Sequence, residues 1–420
     1  FINGDVLTMD PDNRVGEAVA VRGERIEAVG TTEEIMALVG ESTEVIDLRG
    51  RTLMPGFVDA HGHFPGSGMR VVSEDLNSPP IGGMTAMEEV LAALKRRAEN
   101  TEPGEWVTGF GYDDTLLAEG RHPTRAELDG VSTEHPVAAL HISGHMLVAN
   151  SRALELAGIS ADSDDPVGGV IGRRPGSLEP NGLLEETARE GVLRLMQDMA
   201  IADVYRMIKA AVRDYAQVGV TTAQSGGTSV ELTRGLGLFS QFGVIPQRLV
   251  LFPFAHEFGD SLLNGEYRAA DYENDRVHMA AVKLVADGSI QGYTGYLSLP
   301  YHTPYHDDPE YRGYPAIPRE MLFEKVAALH RAGYQLAIHG NGDESIEDIL
   351  DAFEAALEQH PADDPRMILI HSQMAREDQV ARMRALGVTP SFFSAHTWYW
   401  GDRHRDIFMG PERAAVMLSL

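Results

Sequence analysis

From about residue 201 onward, short and almost wholly apolar runs alternate with amphipathic helical stretches, and this rhythm limits what the chain can fold into. The runs are GVTTAQSG (219–226), QRLVLFPF (247–254), VHMAAVKLVADG (277–288), YQLAIHGNG (334–342), RMILIHSQM (366–374) and GVTPSFFSAH (387–396). A strand that is apolar on both faces must be covered on both faces, and intervening helices act as crossovers, so the pattern predicts a parallel sheet. With GFVDAHGH (56–63) the strands number seven. The expected fold class is α/β, a (β/α)8 TIM-like barrel whose eighth unit is missing from the 420 residues. Such barrels carry their chemistry at the C-terminal ends of their strands.

Four histidines fall at those ends. PGFVDAHGHF (55–64) sets His61 and His63 two residues apart at the end of an apolar run. In an extended strand both would face the same way. By themselves they read equally as capped histidines at a strand end or as ligands of one cation. His339 follows the apolar part of YQLAIHGNG and His371 that of RMILIHSQM, each before a polar turn. Histidines gathered from three strand ends favour a metal. Lys283 is a lone cation inside the apolar VHMAAVKLVADG, and an unpaired buried ammonium is costly. Either it pairs with Asp59 or Asp287, or its pKa falls and the neutral amine takes up carbon dioxide. The resulting carbamate is an anionic ligand able to bridge two cations.

Composition narrows the ligands and the partners. Cysteine is absent, so thiolate ligands and disulfides are excluded, and a metal must rest on His, Asp, Glu or modified Lys. The formal net charge of −28 speaks against nucleic acid and anionic membrane as partners. No run reaches the roughly 18 apolar residues of a membrane span. The expected location is cytoplasmic, although Phe1 already stands in a strand-like run, which leaves a signal peptide upstream open.

Residues 1–54 hold short β-like runs, with a hairpin signal at VRGERI around Gly23, and read as a small β module. Residues 55–420 form the barrel domain, with an insertion over 65–200 after its first strand. Within the insertion TAMEEVLAALKRRAEN and NSRALELAGI read as helical, EWVTGFGYDD and HPVAALHISGH as strand-like, and SDDPVGGVIGRRPGSLEPNG as turn-like. VMLSL (416–420) does not extend the helical pattern before it. The expected continuation past Leu420 is a strand ending in aspartate, then strands that complete the N-terminal module.

GFVDAHGH, VKLVADGSIQG, AIHGNGD and ILIHSQM together resemble the amidohydrolase superfamily. GFGYDDTLLAEGRHPTRAELDGVS, HISGHMLVANSRALELAGI and FFSAHTWYWGDRH resemble more narrowly the branch that includes N-substituted formamide deformylase. The resemblance implies a distorted barrel with a small β-sandwich built from both chain ends. It implies that His61 and His63 bind one metal, that carboxylated Lys283 bridges two, and that His339 and His371 bind the other. Zinc suits such ligands, and cobalt, manganese or iron also fit them. The family's eighth-strand aspartate, which binds metal and shuttles the proton, has no counterpart here. His396, Asp402, His404 and Asp406 follow no apolar strand of that kind, so the proton-shuttling residue is unassigned.

The expected activity is hydrolysis of a non-peptide carbon–nitrogen bond, of amide or formamide type, by a metal-bridging hydroxide. The alternatives are a catalytically impaired metal-binding scaffold and a related ester or phosphoester hydrolase. His145 reads as a donor to a small-molecule amide substrate or as a packed loop histidine, and Tyr112 and Asp113 are weaker candidates for the same role. Asp287 is expected to orient the Lys283 region. Trp398, Tyr399 and Trp400 line an apolar substrate pocket or belong to a core or helix surface. Homo-oligomer formation is open.

Overall fold

A computed structural model describes residues 1–196 and 199–417, so the last three residues of VMLSL lie outside the described chain. The chain divides into two compact units, one of Phe1–Asp59 with Ala216–Thr222 and one of Ala60–Tyr215 with Ala223–Leu420.

In the first unit Asp5–Leu7 pairs antiparallel with Val15–Gly16 and parallel with Thr52–Leu53. Ala18–Arg22 and Arg25–Gly30 form the hairpin expected at VRGERI. Gly23 stands in its turn at φ +60°, a conformation that favours a residue without Cβ. Val6, Val19 and Leu48 make a small core. Strand β1 (Phe57–Val58) pairs in parallel with the first residues of strand β2 (Val220–Thr228). Here the structure corrects the sequence reading. β1 ends three residues before His61, and Phe57 and Val58 are 53% and 68% exposed, so the two histidines do not prolong a buried strand.

In the second unit the rest of β2 is followed by β3 (Arg248–Pro253), β4 (Val282–Val285), β5 (Leu336–Gly340), β6 (Ile368–His371) and β7 (Thr389–Phe392). Strands β4 to β7 pair parallel in chain order, with Lys283 opposite Ala337, His339 opposite Ile370 and His371 opposite Phe392. A parallel bridge from Phe254 to Lys283 carries this order back to the end of β3. The run VHMAAVKLVADG, expected as one strand, divides. Val277–Met279 pairs with β3, and Val282–Val285 pairs with β5. Helices Val230–Gln241, Arg319–Arg331, Asp343–Gln359 and Glu377–Leu386 separate the strands. The helix Asp343–Gln359 buries Ile346, Ile349 and Phe353 against Leu336, Ile338 and Leu369. Cutting a fully buried Phe353 to alanine removes roughly 3–5 kcal/mol of stability.

The insertion is a sheet of six strands in the order Gly169–Arg173, Pro180–Glu186, Met146–Ala149, Val137–His141, Val107–Tyr112 and Glu74–Asp75. Its two faces hold separate cores, because neighbours along a strand point opposite ways: Val148 and Leu183 face one, Leu147 and Leu184 the other. The segment expected as a turn, 163–182, contributes a strand and the start of another. Pairing of Gly169–Arg173 with Pro180–Glu186, itself paired to Met146–Ala149, outweighs the local preference of its glycines and prolines.

Candidate metal centre and the cavity beside it

His61, His63, His339 and His371 come together through their rings. Centroids lie 5.2 Å apart for His61 and His63, 5.3 Å for His61 and His371, and 4.8 Å for His339 and His371. His63 makes an isolated backbone bridge with Ser225 of β2. His61 Nδ1 donates to Gln224 Oε1 at 2.8 Å, which leaves Nε2 as the nitrogen with the free lone pair. Gly226 permits this close passage, since a Cβ there would stand 2.6 Å from His61 Cε1.

The last two histidines meet for a less regular reason. In register, His371 pairs with Gly340, so strict alternation would turn it away from His339. A φ of +70° at His371 breaks the alternation and brings the rings together. Such backbone is costly for a residue with Cβ, and it persists where its surroundings hold it.

Burial keeps these groups neutral. It is the first cause lowering His61 to about 4 and His63 to about 3, with Lys283 adding repulsion in both cases. His339 and His371 are lowered well below the ordinary range for the same reason. Burial alone brings Lys283 down to about 7, and it forms no ion pair among the described residues. Of the two alternatives for Lys283, pairing with a carboxylate is therefore not seen among the described residues. Asp287 instead accepts backbone N–H groups from Tyr296, Asn341 and Gly342 at 2.8–3.0 Å. Burial pushes its carboxyl up to about 7 against those donors. His339 Nδ1 lies 3.2 Å from Asp287 Oδ1 without the alignment of a hydrogen bond.

Three buried ring nitrogens, His61 Nε2, His339 Nδ1 and His371 Nδ1, have no hydrogen-bond partner. His339 Nε2 accepts from Asn341 Nδ2 at 3.2 Å, which puts the proton of the neutral ring on Nδ1, whereas His61 Nε2 and the His371 ring keep an unused lone pair. Neutral imidazoles so placed beside an unpaired lysine fit a divalent cation. A second group of candidate ligands lies closer together than the histidines do. Ligand atoms of Asp113, Asp114 and His141 all lie within 4.8 Å of one another. Their bonding is already used, however. Asp113 accepts from Thr115 and from Trp400 Nε1 at 2.9 Å, and His141 spans Asp114 and Ser143 at 3.1 and 2.8 Å. Burial alone would raise Asp114, but His122 and His141 hold it down at about 2. This trio reads as an internal brace of the insertion.

The remaining sequence candidates divide between the two groups. His145 lies beside the histidine cluster, its ring 4.9 Å from that of His339. Tyr112 and Asp113 belong to the brace: Tyr112 is fully buried with its hydroxyl on His122 Nδ1 at 3.1 Å. Trp400 bonds to Asp113, whereas Trp398 is 71% exposed. Asp402 and Asp406 pair with Arg405, and His404 Nε2 meets the Gln373 amide at 2.9 Å.

Two neighbours of the cluster had no role assigned from the sequence. His396 is buried 5.4 Å from His371, ring to ring, with Nδ1 unpartnered, four residues past the end of β7. Glu186 takes the Nδ1–H of His145 on Oε2 at 2.8 Å, and its Oε1 has no partner. Its backbone, at φ +48° and ψ −121°, lies in a region that side chains rarely occupy. Nothing in LLEETARE signals that. His396 was set aside in the sequence because it follows no apolar strand of the kind that carries the family's aspartate; the structure places it beside His371 all the same.

A cavity of about 820 Å³ opens beside the cluster, touching it at His63, Lys283 and Glu186. Its size suits a small organic molecule. Met69, Leu193, Met207, Ile208 and Leu236 supply apolar wall.

Fold and site together define a class, a metal-dependent hydrolase built on an α/β fold. A solved metal-dependent hydrolase of Pyrococcus furiosus superposes with a TM-score of 0.70 at 25% identity, covering 99% of this chain and 80% of that one. Residues 44–418 match the amidohydrolase family, and the chain belongs to that family. It is 31% identical over 413 residues to N-substituted formamide deformylase of Arthrobacter pascens, covering 96% of this chain and 74% of that protein. It is 27% identical over 405 residues to protein LONG AFTER FAR-RED 3 of Arabidopsis thaliana, covering 94% of this chain and 67% of that protein. The protein is accordingly an enzyme that hydrolyses carbon–nitrogen bonds. Among the described residues no helix is long and apolar enough to cross a membrane.

Proposed function

We propose that the enzyme cleaves the amide or formamide bond of a small molecule, with one or two divalent cations, zinc foremost, held by His61, His63, His339 and His371. The observation that carries this reading is the set of unpartnered, burial-neutralised imidazole nitrogens around Lys283. A lysine brought to about 7 by burial has free amine at neutral pH, which is the form that takes up carbon dioxide as a carbamate ligand. The cations would supply a hydroxide shared between them at neutral pH and polarise the substrate carbonyl. The seven parallel strands would belong to a TIM-like barrel, and the first unit to a small β-sandwich domain.

The chain's own groups arrange the rest. Gln224 fixes the tautomer of His61, and Glu186 fixes that of His145, whose ring lies 4.9 Å from that of His339. Asp287 ties the turn after β4 to Asn341 and Gly342 after β5, which holds Lys283 and His339 in register. The apolar cavity wall excludes water from the substrate's body. Small-molecule turnover fits the charge of −28, which opposes nucleic acid and anionic membranes.

The test joins metal content to turnover. After reconstitution with zinc in bicarbonate, elemental analysis should find bound metal, and labelled bicarbonate should give a carbamate carbon signal. N-formyl and N-acetyl amines should be hydrolysed, with matched esters and phosphoesters as controls. Lys283→Ala should stay folded and lose both the carbamate signal and the second metal. A Lys283→Ala protein that keeps two metals refutes the bridging role; turnover of esters alone refutes the amide reading.

A further inference from the structure

One interior charge of the cavity has no part in this scheme. Arg189 closes the short 3-10 turn Thr187–Arg189 that follows the strand Pro180–Glu186, and it lines the same cavity as His63 and Lys283. Its side chain forms no hydrogen bond or ion pair among the described residues, and its Nε is buried without a partner. Glu186 and Glu190 are the carboxylates whose fields reach it. Both face other groups: Glu186 holds His145 Nδ1 at 2.8 Å, and Glu190 lies 3.7 Å from His256 Nε2. Of the other charged wall residues, Arg194, Glu231, His256 and Glu257 are exposed and Lys325 is half-buried. Inside, then, stands a guanidinium with unused donors next to apolar surface.

A buried donor without a partner is a cost that a complementary acceptor removes. The guanidinium fork matches a carboxylate with two parallel N–H···O bonds, a geometry that neutral acceptors and water reproduce poorly. We propose that Arg189 seats a carboxylate of the substrate, so that this cavity selects amides bearing an anionic group on an apolar body. The inference rests on the hydrolytic reading above and narrows it to a substrate class. It also gives the insertion a task distinct from metal binding, since the turn carrying Arg189 continues the strand carrying Glu186.

Two isosteric pairs test it on the metal-loaded enzyme. The first pair is N-formylphenylalanine and N-formylphenylalaninamide, compared by kcat/KM for the release of formate. The second is 3-phenylpropanoate and the methyl ketone 4-phenylbutan-2-one, which carry no carbon–nitrogen bond to cleave, compared by calorimetric affinity. The carboxylate member should be favoured at least about tenfold in both pairs, as expected for a charge-assisted contact inside a cavity. In Arg189→Gln both preferences should collapse to near unity, and Arg189→Lys should keep part of them. No preference in the wild-type enzyme overturns the proposal. So does a preference that survives in Arg189→Gln, because the carboxylate would then be held elsewhere, for instance by the cations. If neither formyl compound is cleaved, the hydrolytic reading fails, while the calorimetric pair still decides the role of Arg189. Should Arg189→Gln not fold, Arg189→Lys and the wild-type preference decide it.

Discussion

Gln224 and Gly226 sit two residues apart on β2 and act on one imidazole. The first fixes His61 by a 2.8 Å bond to Nδ1, and the second leaves space for the ring. Removing a group that orients a metal ligand typically costs about 10–100-fold in metal affinity. Gln224→Ala should therefore weaken zinc binding by that factor in a competition titration, with its unfolding midpoint little changed. Gly226→Ala should do more, because the added carbon has to displace the ring itself. A second residue-scale consequence concerns Glu185. Tyr305 and Tyr314 donate their hydroxyls to it at 3.1 and 3.0 Å, and burial raises it from 4.5 to about 7. Between those two values the folded protein holds the proton more tightly than the unfolded chain, so this group's contribution is present below pH 4.5 and lost as pH rises through 7. Glu185→Gln should remove that part of the decline in stability from pH 4.5 to 7, measured by urea unfolding at a series of pH values.

At the scale of elements, Asn150 joins a strand to a helix. Its side chain accepts from Val137 N and Ala153 N at 3.0 and 2.9 Å, and donates to Ser132 O and His135 O at 2.9 Å. Asn150→Ala removes a helix cap and leaves buried backbone groups unpaired. It should cost about 2–3 kcal/mol in urea unfolding. Much at this scale was legible in the sequence. Fully apolar runs such as YQLAIHGNG and RMILIHSQM name their strands because few other environments bury both faces. The histidines after them were legible for the same reason. What was not legible depends on tertiary context. The strands Gly169–Arg173 and Pro180–Glu186 exist because a neighbouring strand completes their hydrogen bonds. The division of 277–288 follows from two different pairing partners. The approach of His371 to His339, and the strained turn at Glu186, rest on dihedral angles that no periodicity encodes.

The whole molecule carries 35 basic and 63 acidic residues. Self-repulsion of that excess is screened over about 10 Å at 0.1 M salt and about 3 Å at 1 M. Raising sodium chloride from low to molar concentration should therefore raise the thermal midpoint by a few degrees, whereas a structure with balanced charge would show little response. The same excess predicts no retention on immobilised DNA at physiological salt.

The first unit is assembled from two stretches of chain, Phe1–Asp59 and Ala216–Thr222, with residues 60–215 between them. On a translating ribosome these parts are made at different times. At about 5–20 residues per second, the 156 intervening residues take about 8–30 s to synthesise. Throughout that interval Phe57 and Val58 have no β2 to pair with, since Val220 and Thr222 do not yet exist. The nascent chain thus offers an unpaired edge to chaperones for many seconds, and slow codons within 60–215 would lengthen that exposure without changing a single residue of the finished enzyme.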